Sequence, residues 1–173
     1  MLDLIIKNGS CYIDKDLKNN DIGIKDGKIV EIGKIDNEAK EIFDAKGLIV
    51  LPGCIDTQTH FREPGSTDTE DLKSGSRAAI AGGITAVFEM PNTNPPTSTK
   101  KEFQKKLDLA KNRMYCNHAF YFGATANNAD DLASLDGLEG CCGIKLFAGS
   151  STGNLLVAEE DDIDKVFQNA SKV

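Results

Sequence analysis

The stretch PGCIDTQTHFREPG, residues 52–65, holds the densest set of reactive side-chain types in the chain. Asp56, Gln58 and His60 alternate there, so on a β-strand all three point to one side. A His-x-His pair in that position makes a ready zinc chelate. Here the first place is taken by Gln58, whose neutral amide is a poor zinc ligand beside imidazole. Arg62 and Glu63 come next and form either a binding pair or a rim salt bridge. A second stretch, EMPNTNPPT, sets Asn92 and Asn94 among prolines, which hold polar side chains rigidly in a turn. A third, GIKLFAGSSTGN, buries Lys145 between Ile144 and Leu146. A lysine there carries a desolvation cost unless it is paired or chemically altered. The adjoining Gly149–Gly153 segment has the look of an anion-binding loop but lacks the G-K-[ST] of a true phosphate cradle.

The elements that position these residues are legible from patterning. Residues 1–52 read as a β-rich segment made of hairpins. DIGIKDGKIVEIG has two alternating runs around Asp26-Gly27, and EIFDAKGLIVLPG repeats the pattern around Gly47. Residues 53–173 switch to alternating strands and helices. The strands are GCIDTQTH, ITAVFEM, MYCNHAFYFGAT and CCGIKLFAG. The helices lie in TDTEDLKSGSRAAIAGG, STKKEFQKKLDLAKNR, NADDLASL and EEDDIDKVFQNASKV. The first helix is expected to carry acidic residues in its first turn, and the second to bury a stripe of Phe103, Leu107 and Ala110. This rhythm predicts an α/β fold with a parallel sheet and helices outside it. In such folds the functional groups gather at the C-terminal ends of strands, where Gln58, His60, Arg62, Asn92 and Lys145 all fall.

The bulk properties narrow the class. The sequence has 173 residues, 40% of them hydrophobic, with 27% charged and a net charge of −7. That sign disfavours binding to a phosphate backbone, so no nucleic-acid partner is expected. No apolar run approaches the roughly 20 residues of a membrane span. The start, MLDLIIKNGS, lacks the layout of a leader and reads as a first strand, which points to a cytoplasmic protein. The five cysteines are odd in number and never spaced C-x-x-C, so free thiols are expected. Cys141 and Cys142 point to opposite faces of a strand and make a poor chelate.

Taken together, PGCIDTQTHFREPG, AGGITAVFEMPNTNPPT and GIKLFAGSSTGNLLV resemble the N-terminal half of a dihydroorotase, a member of the amidohydrolase superfamily. The resemblance runs along essentially the whole chain. It implies a β-rich N-terminal segment leading into the first four βα units, half, of a TIM (β/α)8 barrel. It implies that His60 is a zinc ligand and that Arg62 holds a substrate carboxylate through a bidentate pair, with Asn92 assisting. Lys145 stands where many superfamily members carry a carboxylated lysine bridging two metals. Arg62 and Asn92 are the positions that favour dihydroorotase over the related allantoinases and hydantoinases. The implied reaction is the reversible ring closure of N-carbamoyl-L-aspartate to dihydroorotate in pyrimidine biosynthesis, with a zinc-bound hydroxide attacking the ring amide.

The departures shape the expectation as much as the matches. Gln58 replaces the first histidine, and the family's two later histidines and catalytic aspartate lie in strands that this sequence does not contain. His60 and His118 are the only histidines, and His118 falls at the start of the third strand, on the stability face of a barrel. The expectation is therefore a truncated dihydroorotase-like protein that is inactive alone. Two other readings stand beside it. The chain is one half of a split enzyme completed by a second half-barrel chain or by self-association, or it is a non-catalytic subunit that binds aspartate transcarbamoylase.

Overall fold

A computed structural model describes residues 1–149 and 154–173. The chain divides into two units, Met1–Pro52 and Gly53–Val173.

The first unit is all β. Its strands are β1 (Leu2–Lys7), β2 (Ser10–Ile13), β3 (Asp16–Asn19), β4 (Asp21–Lys25), β5 (Lys28–Gly33), β6 (Ala39–Asp44) and β7 (Ile49–Val50). They form one sheet in the order β5-β4-β1-β6 and another in the order β3-β2-β7. The Asp26-Gly27 signal gives a tight hairpin between β4 and β5. Both central residues have positive φ, 51° and 72°, as a two-residue turn of primed type requires. The second expected hairpin does not form. Strand β6 pairs parallel with β1, and β7 pairs parallel with β2. The turn around Gly47 therefore hands the chain from one sheet to the other. Leu2, Ile5 and Ile35 form the small core, with Ala39 against it.

The second unit contains β8 (Cys54–Thr59), α1 (Leu72–Ala81), β9 (Ile84–Glu89), α2 (Lys100–Ala110), β10 (Asn117–Gly123), β11 (Cys141–Lys145) and α3 (Glu160–Ala170). Every strand pairing is parallel, in the order β11-β10-β9-β8, so sequence neighbours are sheet neighbours. This is a half-barrel sheet with helices on one side. The third helical stretch is a 3₁₀ segment, Ala129–Leu135, rather than an α-helix. Leu72, Val87, Phe103, Phe120, Phe122, Leu132 and Val166 fill the layer between sheet and helices.

Local chemistry explains the helix boundaries. Asp71 caps α1: its carboxylate accepts the Ser74 N–H at 2.6 Å while the Ser74 hydroxyl accepts the Asp71 N–H at 3.1 Å. The helix thus starts after the acidic run of residues 68–71, and no acidic residue lies in its first turn, contrary to expectation. Thr99 caps α2 through the Glu102 N–H. The apolar stripe of α2 also differs from its reading: Phe103 and Ala110 are fully buried, and the third buried position is Lys106. Helical spacing brings it to the inner face, because residues three and four apart share one side.

Candidate functional site

The rim at the C-terminal ends of β8, β9 and β10 is assembled by backbone ties between loops. The Asn94 N–H donates to Pro64 O at 2.8 Å, joining the loop after β8 to the loop after β9. Gly65, at φ +123°, lies so close there that an added Cβ would meet the Asn94 Cβ at 2.9 Å. The Gly123 N–H donates to Thr97 O at 2.8 Å, and the Asn128 side-chain amide donates to Ser98 O and Gly123 O, both at 2.9 Å. Three strand ends are thereby held as one rigid rim.

Strand β8 is not regular. Asp56 opposes Val87 and Thr59 opposes Glu89, so three residues on β8 advance while two do on β9. This bulge breaks the strict alternation predicted for Asp56, Gln58 and His60, because an extra residue re-aims the side chains beyond it. The Asp56 carboxylate turns back to accept the Gln58 backbone N–H at 2.9 Å. His60 lies one residue past the strand and is half-buried.

The structure brings His60 and Asn92 together. His60 Nδ1 and Asn92 Oδ1 are 2.9 Å apart. An amide oxygen only accepts, so Nδ1 carries a proton, and in the neutral ring Nε2 keeps its lone pair for a ligand. Arg62, Ser66, Asn92, Thr93, Asn94, Pro96 and Asn154 line a pocket of about 450 Å³. Arg62 sits at φ 61°, an uncommon conformation for a side-chain-bearing residue. Lys145 ends β11 half-buried, with its ammonium 5.1 Å from the Phe147 ring centre. That cation–π contact partly offsets the desolvation its place in the strand implies. His118 stands at the other end of its strand, 3.3 Å from Cys116 O and against the Phe120 ring. Of the Gly149–Gly153 segment expected to bind an anion, residues 150–153 lie outside the described residues.

Two buried carboxylates support this rim, Glu63, expected as a rim salt-bridge partner of Arg62, and Glu89, which the sequence reading did not single out. Glu63 is not a rim partner of Arg62. It is 7% exposed and pairs with Arg113, whose Nη1 and Nη2 donate to its two oxygens at 2.7 and 3.1 Å. The Leu72 N–H at the start of α1 also donates to it at 2.9 Å. The carboxylate in turn raises the Arg113 pKa. Glu89, the last residue of β9, is ion-paired with Lys106 of α2, and both are fully buried. Burial pushes the Glu89 carboxyl up to about 7, opposed by the Lys106 charge and the Phe61 backbone N–H. Burial likewise lowers the Lys106 ammonium. Lys106 also donates to Met90 O at 3.1 Å and lies 5.0 Å from the Phe120 ring centre. The signals for the Glu89–Lys106 pair were a glutamate closing an apolar strand and a lysine on the apolar stripe of a helix.

The donors fall short of a zinc site. Structural and catalytic zinc needs at least three protein ligands. Among the described residues no three His, Cys, Asp or Glu side chains converge. His60 offers one imidazole nitrogen and Lys145 its amine. Gln58 offers only an amide.

The family profile described as "Amidohydrolase family" matches residues 49–152. The chain belongs to the amidohydrolase family. It is 41% identical over 149 residues to an allantoinase of Escherichia coli O1:K1, covering 86% of this chain and 33% of that one. Its structure is similar to an L-hydantoinase (dihydropyrimidinase) from Arthrobacter aurescens, with a TM-score of 0.90 and 30% identity over 99% of this chain and 39% of the other. A D-hydantoinase gives a TM-score of 0.82 at 30% identity. The chain therefore spans about a third of the length of the curated relatives it matches. These relatives carry the superfamily, while the narrower resemblance to dihydroorotase is not specific to them. Among the described residues no helix is long and apolar enough to cross a membrane.

Proposed function

We propose that this chain is the substrate-orienting portion of a metal-dependent hydrolase of cyclic amides, built as a β-rich segment and the first four βα units of a TIM barrel. The observation that carries this reading is the convergence of Arg62, Asn92 and Asn94 on one pocket, with Asn92 bonded to His60. Arg62 presents a planar fork of donors to a planar acceptor, whether a ring carbonyl or a carboxylate. Asn92 fixes the His60 ring so that Nε2 is its available atom, the role a supporting group plays for a ligating histidine. The remaining metal ligands and the proton-transferring group come from residues outside this sequence, in the same polypeptide or another. On this reading the chain alone turns over no substrate.

The identity to an allantoinase supports a ring ureide as substrate. Dihydroorotate is the second reading, favoured by Arg62 and Asn92 on the rim, because a carboxylate on the ring is the group that a bidentate guanidinium selects. The test is an NMR-monitored titration of the chain with hydantoin, allantoin and dihydroorotate. The reading expects signals of Arg62 and Asn92 to move with at least one ring, and to lose that response in Arg62→Ala. Tighter binding of dihydroorotate selects the second reading. Signals elsewhere moving while these stay fixed rule out the pocket as the site.

A further inference from the structure

The buried Lys106 makes contacts that an ordinary core lysine does not. Its ammonium binds Glu89 and the Met90 carbonyl at once. The Met90 N–H in turn donates to Thr59 O at 2.9 Å. Thr59 precedes His60, and Met90 lies two residues before Asn92. One side chain on α2 therefore reaches, through the single residue Met90, the strand ends that carry both partners of the His60–Asn92 hydrogen bond.

We infer that Lys106 is a positioning residue: through Glu89 and the Met90 carbonyl it sets the spacing of the β8 and β9 ends and so holds His60 against Asn92. The inference rests on reading His60, Asn92 and Arg62 as the site, and it assigns Lys106 no contact with substrate. The physical ground is that a buried ion pair is a poor stabiliser. Apolar residues of similar volume commonly serve as well or better. The pair earns its place through geometry, because Lys106 holds Glu89 and the adjacent Met90 carbonyl at the end of β9, and Met90 is tied in turn to Thr59 of β8. An apolar replacement fills the same volume and points at nothing.

The test compares the Glu89→Met/Lys106→Met variant with Glu89→Gln and the unaltered chain, by NMR at one pH. Two signals report on the rim: the nitrogen shifts of the His60 ring, which reveal its tautomer, and the hydrogen exchange of the Met90 amide. The Cys141 amide, which donates to Leu138 O at 3.1 Å, serves as the distant control. In the double variant, His60 is expected to pass from one tautomer to a mixture. Met90 exchange rises at least tenfold while Cys141 exchange changes less than threefold. Glu89→Gln, which keeps Lys106 on the Met90 carbonyl, retains the single tautomer. If the methionine pair does not fold, Glu89→Leu/Lys106→Leu makes the same comparison. An unchanged tautomer and an unchanged Met90 amide in the apolar pair overturn the inference, as does an equal loss in Glu89→Gln. Neither readout involves turnover, so a rim held by Lys106 that opens no ring counts against the functional reading alone.

Discussion

Replacing Lys106 with methionine removes one charge from a fully buried position of the second unit, and the cost can be worked from its contacts. Met90 O loses its donor at 3.1 Å, and leaving such a buried group unsatisfied costs about 1–3 kcal/mol. The Phe120 ring loses a cation 5.0 Å from its centre, a contact of about 0.5–2 kcal/mol when dry. Glu89 loses its ion pair, and at alkaline pH it must then stay protonated against the solution. With Lys106 present its carboxyl sits at about 7 against an ordinary value of 4.5. Without it, a protonated Glu89 at pH 8 adds about 1–2 kcal/mol more, since each unit is about 1.4 kcal/mol. The expected destabilisation is therefore about 2–5 kcal/mol at pH 5.5 and larger by that increment at pH 8. The upper figure matches the roughly 3–5 kcal/mol typical of breaking a buried pair. Urea unfolding monitored by circular dichroism at both pH values measures it, with Glu89→Met/Lys106→Met as the companion. The companion is expected to recover most of the loss. A single variant costing under about 1 kcal/mol at pH 8, or a double variant no better than the single, refutes this account of the pair.

The wild-type chain carries its own pH signature. Between pH 4.5 and about 7 the folded protein keeps a proton on Glu89 that the unfolded chain has released. The Glu89 contribution to stability is therefore fully present below pH 4.5 and is lost as pH rises to about 7, a swing of about 3 kcal/mol. Tm against pH shows this slope in the unaltered chain, and Glu89→Gln is expected to flatten it. Arg113→Met leaves the buried Glu63 carboxylate without either guanidinium bond and is expected to lower stability by about 2–4 kcal/mol in urea, with Arg113→Lys recovering part of that. Asp71→Ala removes the cap of α1 and is expected to cost about 1 kcal/mol in the same assay. Gly75→Ala gains about 1 kcal/mol of helix propensity, but its Cβ collides with the buried Phe61 ring. Net destabilisation of about 1–2 kcal/mol in thermal melts is expected, since overpacking a fixed ring outweighs propensity.

The features that could be read from the sequence were local. Asp26-Gly27 dictates its own turn, and apolar runs separated by capped amphipathic stretches give the order of strands and helices. The same locality explains the misses. Gly47 sits at a turn as read, but which strand β7 joins depends on the whole first unit and not on its neighbours. The bulge in β8 shows only when β8 is laid against β9, so alternation within one strand misjudged where Gln58 and His60 stand. Glu63 and Arg113 are 50 residues apart, and Glu89 finds Lys106 across a loop and a helix. Each charged residue alone reads as surface, and only the pairing makes burial tolerable. That Asn92 and Arg62 share one rim could be read from their places at strand ends. The part of Asn92 in orienting His60 was not visible, since a hydrogen bond between two loops leaves no mark on spacing.

On the proposed reading, the Arg62–Asn92–His60 rim orients a cyclic amide for catalytic groups supplied by residues beyond these 173. The most direct test of that reading is ring opening of allantoin, hydantoin and dihydroorotate. The chain is assayed alone and co-expressed with a polypeptide carrying the remaining strands of an amidohydrolase barrel. The account predicts no turnover by the chain alone and measurable turnover of at least one ring by the pair. It also predicts a loss of at least a hundredfold in kcat/KM in Arg62→Ala with the melting temperature unchanged. Turnover by the isolated chain equal to that of the pair, or an active pair indifferent to Arg62→Ala, contradicts it.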